Sequence, residues 1–297
     1  MEPIINIQGL CKSFHGKSAV FRLNLTVPQG AIFALLGDNG AGKTTTIRML
    51  TGLMPPDAGQ ASILGQDCWT EAAELRHRVG YVPERPKYYD WMTVREIGWF
   101  TAGFHRPGFL ERFEELAARL QLRLHARLEN LSKGQYAKVA LALALAVDPE
   151  VLILDEPTSG LDLFVRREFL ASMVDLAAEG RTIVISSHQI AEVERVASHV
   201  AFLAQGRLLL AATMDELRQR IVRFRLRYEA EPPDAGALGT VLHRDGAGQL
   251  WEAVIQDPNR AAVEALRTAT DIFDLEEAPL ALEEVYCALL ARKEVHW

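Results

Sequence analysis

The stretch Gly37-Asp38-Asn39-Gly40-Ala41-Gly42-Lys43-Thr44 lies between a short apolar run and a predicted helix, and it decides the fold. The apolar run, Ala31 to Leu36, has the composition of a buried parallel strand. The stretch matches the pattern G-x-x-x-x-G-K-S/T, in which glycines let backbone N–H groups point inward at phosphate oxygens. The sequence therefore predicts a strand, a phosphate-binding loop and a helix in immediate succession.

The residue types of this loop suit the phosphates of a nucleotide. The helix that begins near Lys43 directs the positive end of its dipole at the loop. Lys43 adds a point charge for the β- and γ-phosphates, and the Thr44 hydroxyl is placed to bind Mg²⁺. We include Thr45 as the last residue of the predicted phosphate-binding segment. A glycine-rich turn that matches by chance is the alternative, and the strand-to-helix context argues against it.

A second stretch, Val151-Leu152-Ile153-Leu154-Asp155-Glu156, predicts a buried strand that ends in two carboxylates. Ligands of parallel α/β sheets bind at the carboxyl ends of the strands. Asp155 suits the coordination shell of Mg²⁺, and Glu156 suits a base that positions the attacking water. An apolar strand followed by a helix N-cap is the alternative for this stretch alone. The phosphate loop upstream favours the functional interpretation.

The rest of the chain predicts an α/β domain followed by a smaller one. Apolar strands alternate with helical segments as far as residue 220, which indicates a parallel sheet covered by helices. Near residue 221 the pattern changes, because Val222, Phe224 and Leu226 alternate with arginines. Such a strand has one solvated face, and a phosphate-binding arginine stripe is the less favoured alternative. Residues 221–297 are predicted to form a small α+β accessory domain.

Composition limits the classes of function. The formal net charge of the 297-residue chain is −7, which argues against a nucleic-acid partner. The longest uncharged apolar run, Val139 to Val147, is about half of the ~20 residues that a membrane-spanning helix needs. No basic segment followed by an apolar one opens the sequence at Met1. We therefore expect a cytoplasmic chain that another polypeptide would hold at a membrane.

The segment Leu131-Ser132-Lys133-Gly134-Gln135 resembles the LSGGQ signature of ABC ATPases, with Lys133 in place of the first glycine. Each further landmark of that family has an ordinary packing or capping alternative, but all of them follow in the family's order. They are the adenine-stacking aromatic Phe14, the Q-loop segment Gly80-Tyr81-Val82-Pro83-Glu84 with Glu84 replacing glutamine, the D-loop Ser159-Gly160-Leu161-Asp162, and the switch histidine His188. The resemblance covers residues 4 to about 220.

The resemblance implies a fold with three parts. Its core is an α/β P-loop NTPase domain, in which helices cover a parallel sheet. An antiparallel β subdomain and a helical subdomain, at about residues 86–147, accompany that core. The nucleotide-binding domain would thus span residues 1–220, and the α+β accessory domain residues 221–297.

The resemblance also implies a site shared by two subunits, which close head to tail around two ATP molecules. Ser132 and the Gly134 N–H would bind the γ-phosphate held by the partner's phosphate loop, because phosphoryl transfer needs charge stabilisation from all sides. The implied catalytic residues are Lys43, Glu156 and His188. The implied metal ligands are Thr44, Glu84 and Asp155. The implied ATP contacts are Phe14, Gly37, Asp38, Asn39, Gly40, Ala41, Gly42, Lys43, Thr44, Thr45, Glu84, Ser132, Gly134, Gln135 and Asp162.

The implied function is that of the ATP-hydrolysing subunit of a transporter. The partners would be a membrane-spanning permease subunit and a second ATPase subunit, with a homodimer preferred, at the cytoplasmic face of the cell membrane. Pro83-Glu84, Ser132-Lys133-Gly134 and the C-terminal Leu282-Glu283-Glu284-Val285-Tyr286 look most like bacterial ABC-2-type exporters. The alternative is a non-transport ABC ATPase acting on nucleic acid or the ribosome. The sequence has neither the long coiled coil nor the second ATPase domain typical of such proteins.

An aromatic cluster follows Glu84 and leaves two interpretations open. Tyr88, Tyr89, Trp91 and Met92 lie where the family's membrane subunit docks. Exposed aromatic residues would suit a docking groove. Burial within the helical subdomain explains the same residues equally well.

Overall fold

The computed structural model describes residues 3–229 and 231–294. The chain divides into two compact units, Met1–Ala211 and Ala212–Trp297. The strands up to the division are β1 (Ile5–Phe14), β2 (Lys17–Val27), β3 (Ile32–Leu36), β4 (Ala58–Ile63), β5 (Gln66–Asp67), β6 (Val79–Val82), β7 (Val151–Asp155), β8 (Thr182–Ser187), β9 (His199–Ala204) and β10 (Arg207–Thr213), which crosses it. The helices are α1 (Lys43–Leu50), α2 (Ala72–Leu75), α3 (Val94–Ala102), α4 (Phe109–Arg119), α5 (Lys133–Ala146), α6 (Leu163–Ala178) and α7 (Ile190–Val193).

A six-stranded sheet forms the centre of the first unit, in the order β10-β9-β3-β8-β7-β6. The strands from β9 to β6 pair in parallel. Every residue of β3, β7 and β8 is buried, as expected for parallel strands covered on both faces. The register pairs Leu36 with Ser187 and Asp155 with Ser186, so the carboxyl ends of three strands lie side by side. The predicted α/β class is confirmed.

A second, antiparallel sheet has the order β2-β1-β4-β5. Its first hairpin turns at His15-Gly16. The apolar residues of β1, such as Ile5 and Ile7, share one core with Ile153 of β7. Helix α1 ends at Leu50, because the chain turns there and the Leu53 N–H bonds back to the Arg48 carbonyl.

Helices α3, α4 and α5 form a group with its own apolar cluster, within the range predicted for the helical subdomain. From Val139 to Ala146, helix α5 is apolar on every side and fully buried, which is typical of a helix covered on several sides. Its Val139 packs in the cluster of Phe113, whereas its Leu141 packs in the cluster of Leu152 on β7. In the described part of the chain, no helix has both the length and the apolarity needed to cross a bilayer.

The second unit contains a four-stranded antiparallel sheet with the order β12-β13-β11-β14. Its elements are α8 (Met214–Arg220), β11 (Ile221–Tyr228), β12 (Thr240–Ala247), β13 (Leu250–Gln256), α9 (Arg260–Thr268), β14 (Ile272–Pro279) and α10 (Leu282–Glu294). Val222, Phe224 and Leu226 enter its core, as their alternation predicts. The two units divide after Ala211, so α8 belongs to the second unit, where it contacts β11. The sequence analysis instead places the end of the first domain at residue 220.

Candidate active site

The loop of residues 37–42 joins β3 to α1 and requires glycine at two tight positions. Gly37 has φ +150° and Gly42 has φ +103°. A Cβ atom on Gly37 would lie 2.2 Å from the Leu203 carbonyl oxygen, and one on Gly42 would lie 2.5 Å from that of Ala19. Larger side chains would therefore collide with backbone at both positions. Gly42 is the N-cap of α1, so the unpaired N–H groups of the first helical turn face the loop.

Lys43 places a buried ammonium group in this loop. Its Nζ donates to the carbonyl oxygens of Gly37, at 2.7 Å, and Asp38, at 3.1 Å. The same Nζ lies 3.1 Å from Glu156 Oε1 as an ion pair, although that oxygen lacks hydrogen-bond geometry. Lys43 is only 5% exposed. A charge this buried needs such oxygen partners, since desolvation alone would be costly.

Asp155 ends β7 beside the loop and is almost completely buried. Its Oδ1 accepts hydrogen bonds from Ser186 Oγ, at 2.7 Å, and from Thr44 Oγ1, at 3.0 Å. Burial raises the pKa of Asp155, and the two hydroxyl donors lower it in part. A nearby cation would restore the charged form of the carboxylate.

Glu156 follows with φ +48°, a left-handed conformation that is uncommon outside glycine. Its backbone N–H donates to Ser186 Oγ at 2.9 Å, which fixes the turn. Its Oε2 lies 2.7 Å from His188 Nδ1 and also accepts from the His188 N–H at 3.3 Å. The carboxylate is thereby held between an imidazole and the Lys43 ammonium.

Lys43, Glu156 and His188 open onto one pocket of about 650 Å³, and Thr44, the hydroxyl partner of Asp155, also lines it. Two of the ATP contacts implied by the sequence line this pocket far from the phosphate loop in sequence: Phe14, which is 41% exposed at the end of β1, and Glu84. The remaining predicted residues in the lining are Asn39, Gly40, Gly42, Lys43, Thr44, Thr45, Glu156 and His188. The lining also includes Arg85, whose Nε lies 3.4 Å from Glu84 Oε1. The P-loop, the end of β7 and the switch histidine are thus brought together.

The signature residues lie elsewhere on the same unit. Ser132 is the N-cap of α5, where its Oγ accepts from the Gln135 N–H and the Gln135 side chain accepts from the Ser132 N–H. Asp162 caps α6 by accepting from the Phe164 and Val165 N–H groups. Ser132, Gly134, Gln135 and Asp162 are absent from the pocket lining. The sequence thus identifies two groups of site residues, which the structure keeps apart within one chain.

Sequence reasoning missed Ser186, although this serine joins the two carboxylate positions. It donates to Asp155 and accepts from the Glu156 N–H. The available signal is a serine near the carboxyl end of the buried strand Thr182 to Ser187, at the register position opposite Asp155. The loop, the buried lysine and the paired carboxylates define a nucleotide-binding P-loop ATPase.

Comparisons with known proteins agree with this class. Residues 20–159 match the family model described as ABC transporter. The chain is 38% identical over 224 residues to the bacitracin transport ATP-binding protein BcrA of Bacillus licheniformis, covering 74% of this chain and 73% of that protein. It is 32% identical to the Nod factor export ATP-binding protein I of Ralstonia nicotianae, covering 98% and 95%. A solved ATP binding subunit of an ABC transporter superposes with TM-score 0.66 at 30% identity, covering 73% and 92%.

The chain belongs to the ABC transporter family and is an ATP-binding, ATP-hydrolysing subunit.

Proposed function

We propose that the chain is the motor of an exporter, in which two copies of it close around Mg²⁺–ATP and drive a separate membrane-spanning subunit. The observation that carries this proposal is the separation of the signature from the pocket. Lys43, Glu156 and His188 converge on one cavity, whereas Ser132 is exposed at the start of α5 outside it. A second copy is the natural source of the missing γ-phosphate contacts.

Lys43, Glu156 and His188 supply the chemistry of hydrolysis. Phosphate oxygens would replace Glu156 as partners of the Lys43 ammonium, which now lies 3.1 Å from Oε1. The freed carboxylate can then accept a proton from the attacking water. Because His188 Nδ1 faces Glu156 Oε2 at 2.7 Å, the ring's Nε2 is the nitrogen left for the γ-phosphate. Such preorganised groups stabilise the transition state without reorganisation.

Thr44 and Asp155 would hold Mg²⁺ on the nucleotide. Their oxygens lie 3.0 Å apart and are the hard ligands that this ion prefers. Within residues 3–229 and 231–294, no group of three or more His, Cys, Asp or Glu could hold a metal unaided. This suits an ion that keeps its waters and takes further ligands from phosphates. The bound ion would neutralise phosphate charge, and Glu84 offers a carboxylate at the pocket rim.

A cleft on the first unit would receive the membrane-spanning subunit. It is lined mainly by apolar residues of β6, α5 and the end of α1, together with Leu53 after that helix, which is 55% exposed. Tyr89 and Trp91 are 53% and 61% exposed, and Tyr89 contacts the ring of Phe100. Tyr88 lines this cleft and, with Met92, also packs in the helical cluster, so the aromatic segment serves both burial and exposure. An apolar helix of the partner would fit this surface.

Export is the direction that the relatives favour. One related protein is named for Nod factor export, and another for bacitracin transport. We extend export to this chain because the resemblance covers almost its whole length. The alternative function, action on nucleic acid or the ribosome, has no comparable support.

The shared site is tested by ATPase activity across a wide dilution series of the purified chain. Activity per subunit should fall on dilution, in step with the loss of dimer measured by light scattering. Constant activity from a protein that stays monomeric would refute the shared site.

For the membrane partner, Trp91→Ala should weaken co-purification with membranes that contain the permease and leave the ATPase activity of the isolated chain unchanged. Unaltered co-purification would refute the docking surface.

A further inference from the structure

Arg166, on α6, connects the segment after Glu156 with the segment after His188. Its Nη2 donates to the Leu161 carbonyl oxygen at 2.9 Å. Its Nη1 donates to Gln189 Oε1 at 2.5 Å and also bonds to Glu192 Oε1 on α7. The Arg166 side chain is 18% exposed, so the guanidinium is largely withdrawn from water. One side chain thus holds three acceptors that come from two separate segments, one after Glu156 and one after His188.

Net stability is a poor explanation for this arrangement. A largely buried ion pair gains little, because desolvation of both charges offsets their attraction. The Glu192 side chain is 21% exposed, and its Oε2 has no hydrogen-bond partner in the described part of the chain. Buried polar groups are better attested as devices that fix register. The planar guanidinium is suited to that role, since its donors point in fixed directions.

The two loops held by Arg166 are those that carry the catalytic pair. On one side, turn bonds run from the Ser159 N–H to the Glu156 carbonyl and from the Leu161 N–H to the Thr158 carbonyl. On the other side, Gln189 directly follows His188 and its N–H donates to Ser187 Oγ at 2.9 Å. The contact between Glu156 Oε2 and His188 Nδ1 joins the same two loops at 2.7 Å. Arg166 therefore holds together the two segments that this contact joins. It does not itself line the pocket.

We propose that Arg166 is a positioning residue for hydrolysis, which keeps the D-loop (Ser159–Asp162) in register with the His188 segment and so aligns His188 with Glu156. This inference rests on the proposed roles of Glu156 and His188. Arg166 contacts neither the nucleotide nor the attacking water in this account. Its loss should therefore change turnover rather than ATP binding.

Arg166→Ala should lower kcat by about tenfold or more, with the Kd for ATP changed less than about threefold. Gln189→Ala removes only the link to the His188 segment, so a loss of about fivefold in kcat is expected without loss of the ion pair. Arg166→Lys should not restore the rate, because an ammonium cannot match the guanidinium fork. Arg167→Ala is the matched control, since Arg167 is the next residue and is exposed; its kcat should equal that of the parent.

The decisive experiment combines Arg166→Ala or Gln189→Ala with Glu156→Gln in the full chain. If Arg166 acts through the catalytic pair, either addition should slow Glu156→Gln by less than about twofold, because residues that act as a unit are non-additive. A further loss as large as that of the single variant, about tenfold for Arg166→Ala or about fivefold for Gln189→Ala, would make the role structural and overturn the inference, as would a parental kcat in both single variants. Rapid turnover by Glu156→Gln itself would instead refute the proposed function.

Discussion

Two charged regions of this molecule show how differently the same residue types can be used. In the second unit, Arg223, Arg225 and Arg227 of β11 form ion pairs with carboxylates on neighbouring strands. The first two arginines share one glutamate, and in the Arg227 pair both side chains are about two-thirds exposed. In the first unit, Lys43 and Glu156 are almost buried and converge on a cavity. The arginines of this stripe are thus already paired with carboxylates of their own unit. The buried charges instead face a space that a polyanion can enter.

This difference separates charge used for solubility from charge used for chemistry. Exposed ion pairs contribute little to stability, because water screens them and ordering long side chains costs entropy. Buried charges are costly, and a protein retains them where a reaction needs them. We therefore expect substitutions in the pocket to have large effects on turnover, and those in the arginine stripe to have almost none.

The largest effect should come from Glu156→Gln, which keeps the shape of the side chain and removes the base. Loss of a general base typically lowers the rate by about 10²–10⁴-fold. ATP binding should persist, and a closed dimer should accumulate in size-exclusion chromatography with ATP. Glu150→Gln, at the opposite end of β7, is the control and should hydrolyse ATP like the parent. Near-normal turnover by Glu156→Gln would contradict the role assigned to that carboxylate.

A smaller effect is expected from Ser186→Ala, because this hydroxyl bonds to both carboxylate positions. An unpaired buried polar group costs about 1–3 kcal/mol, so the free energy of unfolding should fall by that amount. ATPase activity should fall about tenfold as the Glu156 turn loosens. Urea unfolding and steady-state kinetics measure the two quantities. If activity stays normal while stability falls, Ser186 supports only the fold.

A still smaller effect on ATPase activity is expected from Glu84→Gln at the Q-loop position. Glu84→Gln should keep ATPase activity within about tenfold, a barrier change under ~1.4 kcal/mol, because both side chains offer oxygen to Mg²⁺. Glu84→Ala removes that ligand and should weaken coupling to the membrane partner more than ATP binding. Transport and ATPase assays of the reconstituted complex measure both. Parental transport by Glu84→Ala would refute the Q-loop assignment.

The smallest effect should come from Arg227→Ala in the second unit. Arg227 lies 3.0 Å from Asp274, and both side chains are about two-thirds exposed. Loss of such a pair should shift Tm by less than about 2 °C and leave turnover unchanged. A large drop in ATP affinity would show that the arginine stripe binds phosphate after all. Calorimetry and nucleotide titration of the full chain decide between these outcomes.

The sequence predicts those parts of the molecule in which local pattern and chemistry coincide. The phosphate loop needs glycines at fixed positions, and β7 must be apolar throughout, so both are visible without a structure. Ser186 and Arg166 were not predicted, because Asp155 lies 31 residues from Ser186 and Gln189 lies 23 residues from Arg166 in the sequence. The parallel register joins the first pair, and a contact between α6 and the segment after β8 joins the second. A serine within a buried strand is a weak signal by itself.

The segment after Glu84 shows a second limit of sequence reasoning. Four apolar and aromatic residues there are equally compatible with a core and with a docking surface. Packing against the Tyr136 ring, at 5.5 Å, draws Tyr88 inward, whereas Trp91 remains exposed. Their order in the chain cannot separate these outcomes, because the helix against which they pack lies further along the sequence.

The shared site is tested most directly by mixing two inactive variants. Lys43→Ala disables the phosphate loop, and Ser132→Arg places a long side chain at the exposed signature position. In a head-to-tail heterodimer, one site combines the intact Lys43 of one subunit with the intact Ser132 of the other. Random pairing should therefore restore about a quarter of the parent ATPase activity, since half the dimers carry one intact site of two. A mixture no more active than either variant alone would contradict the account.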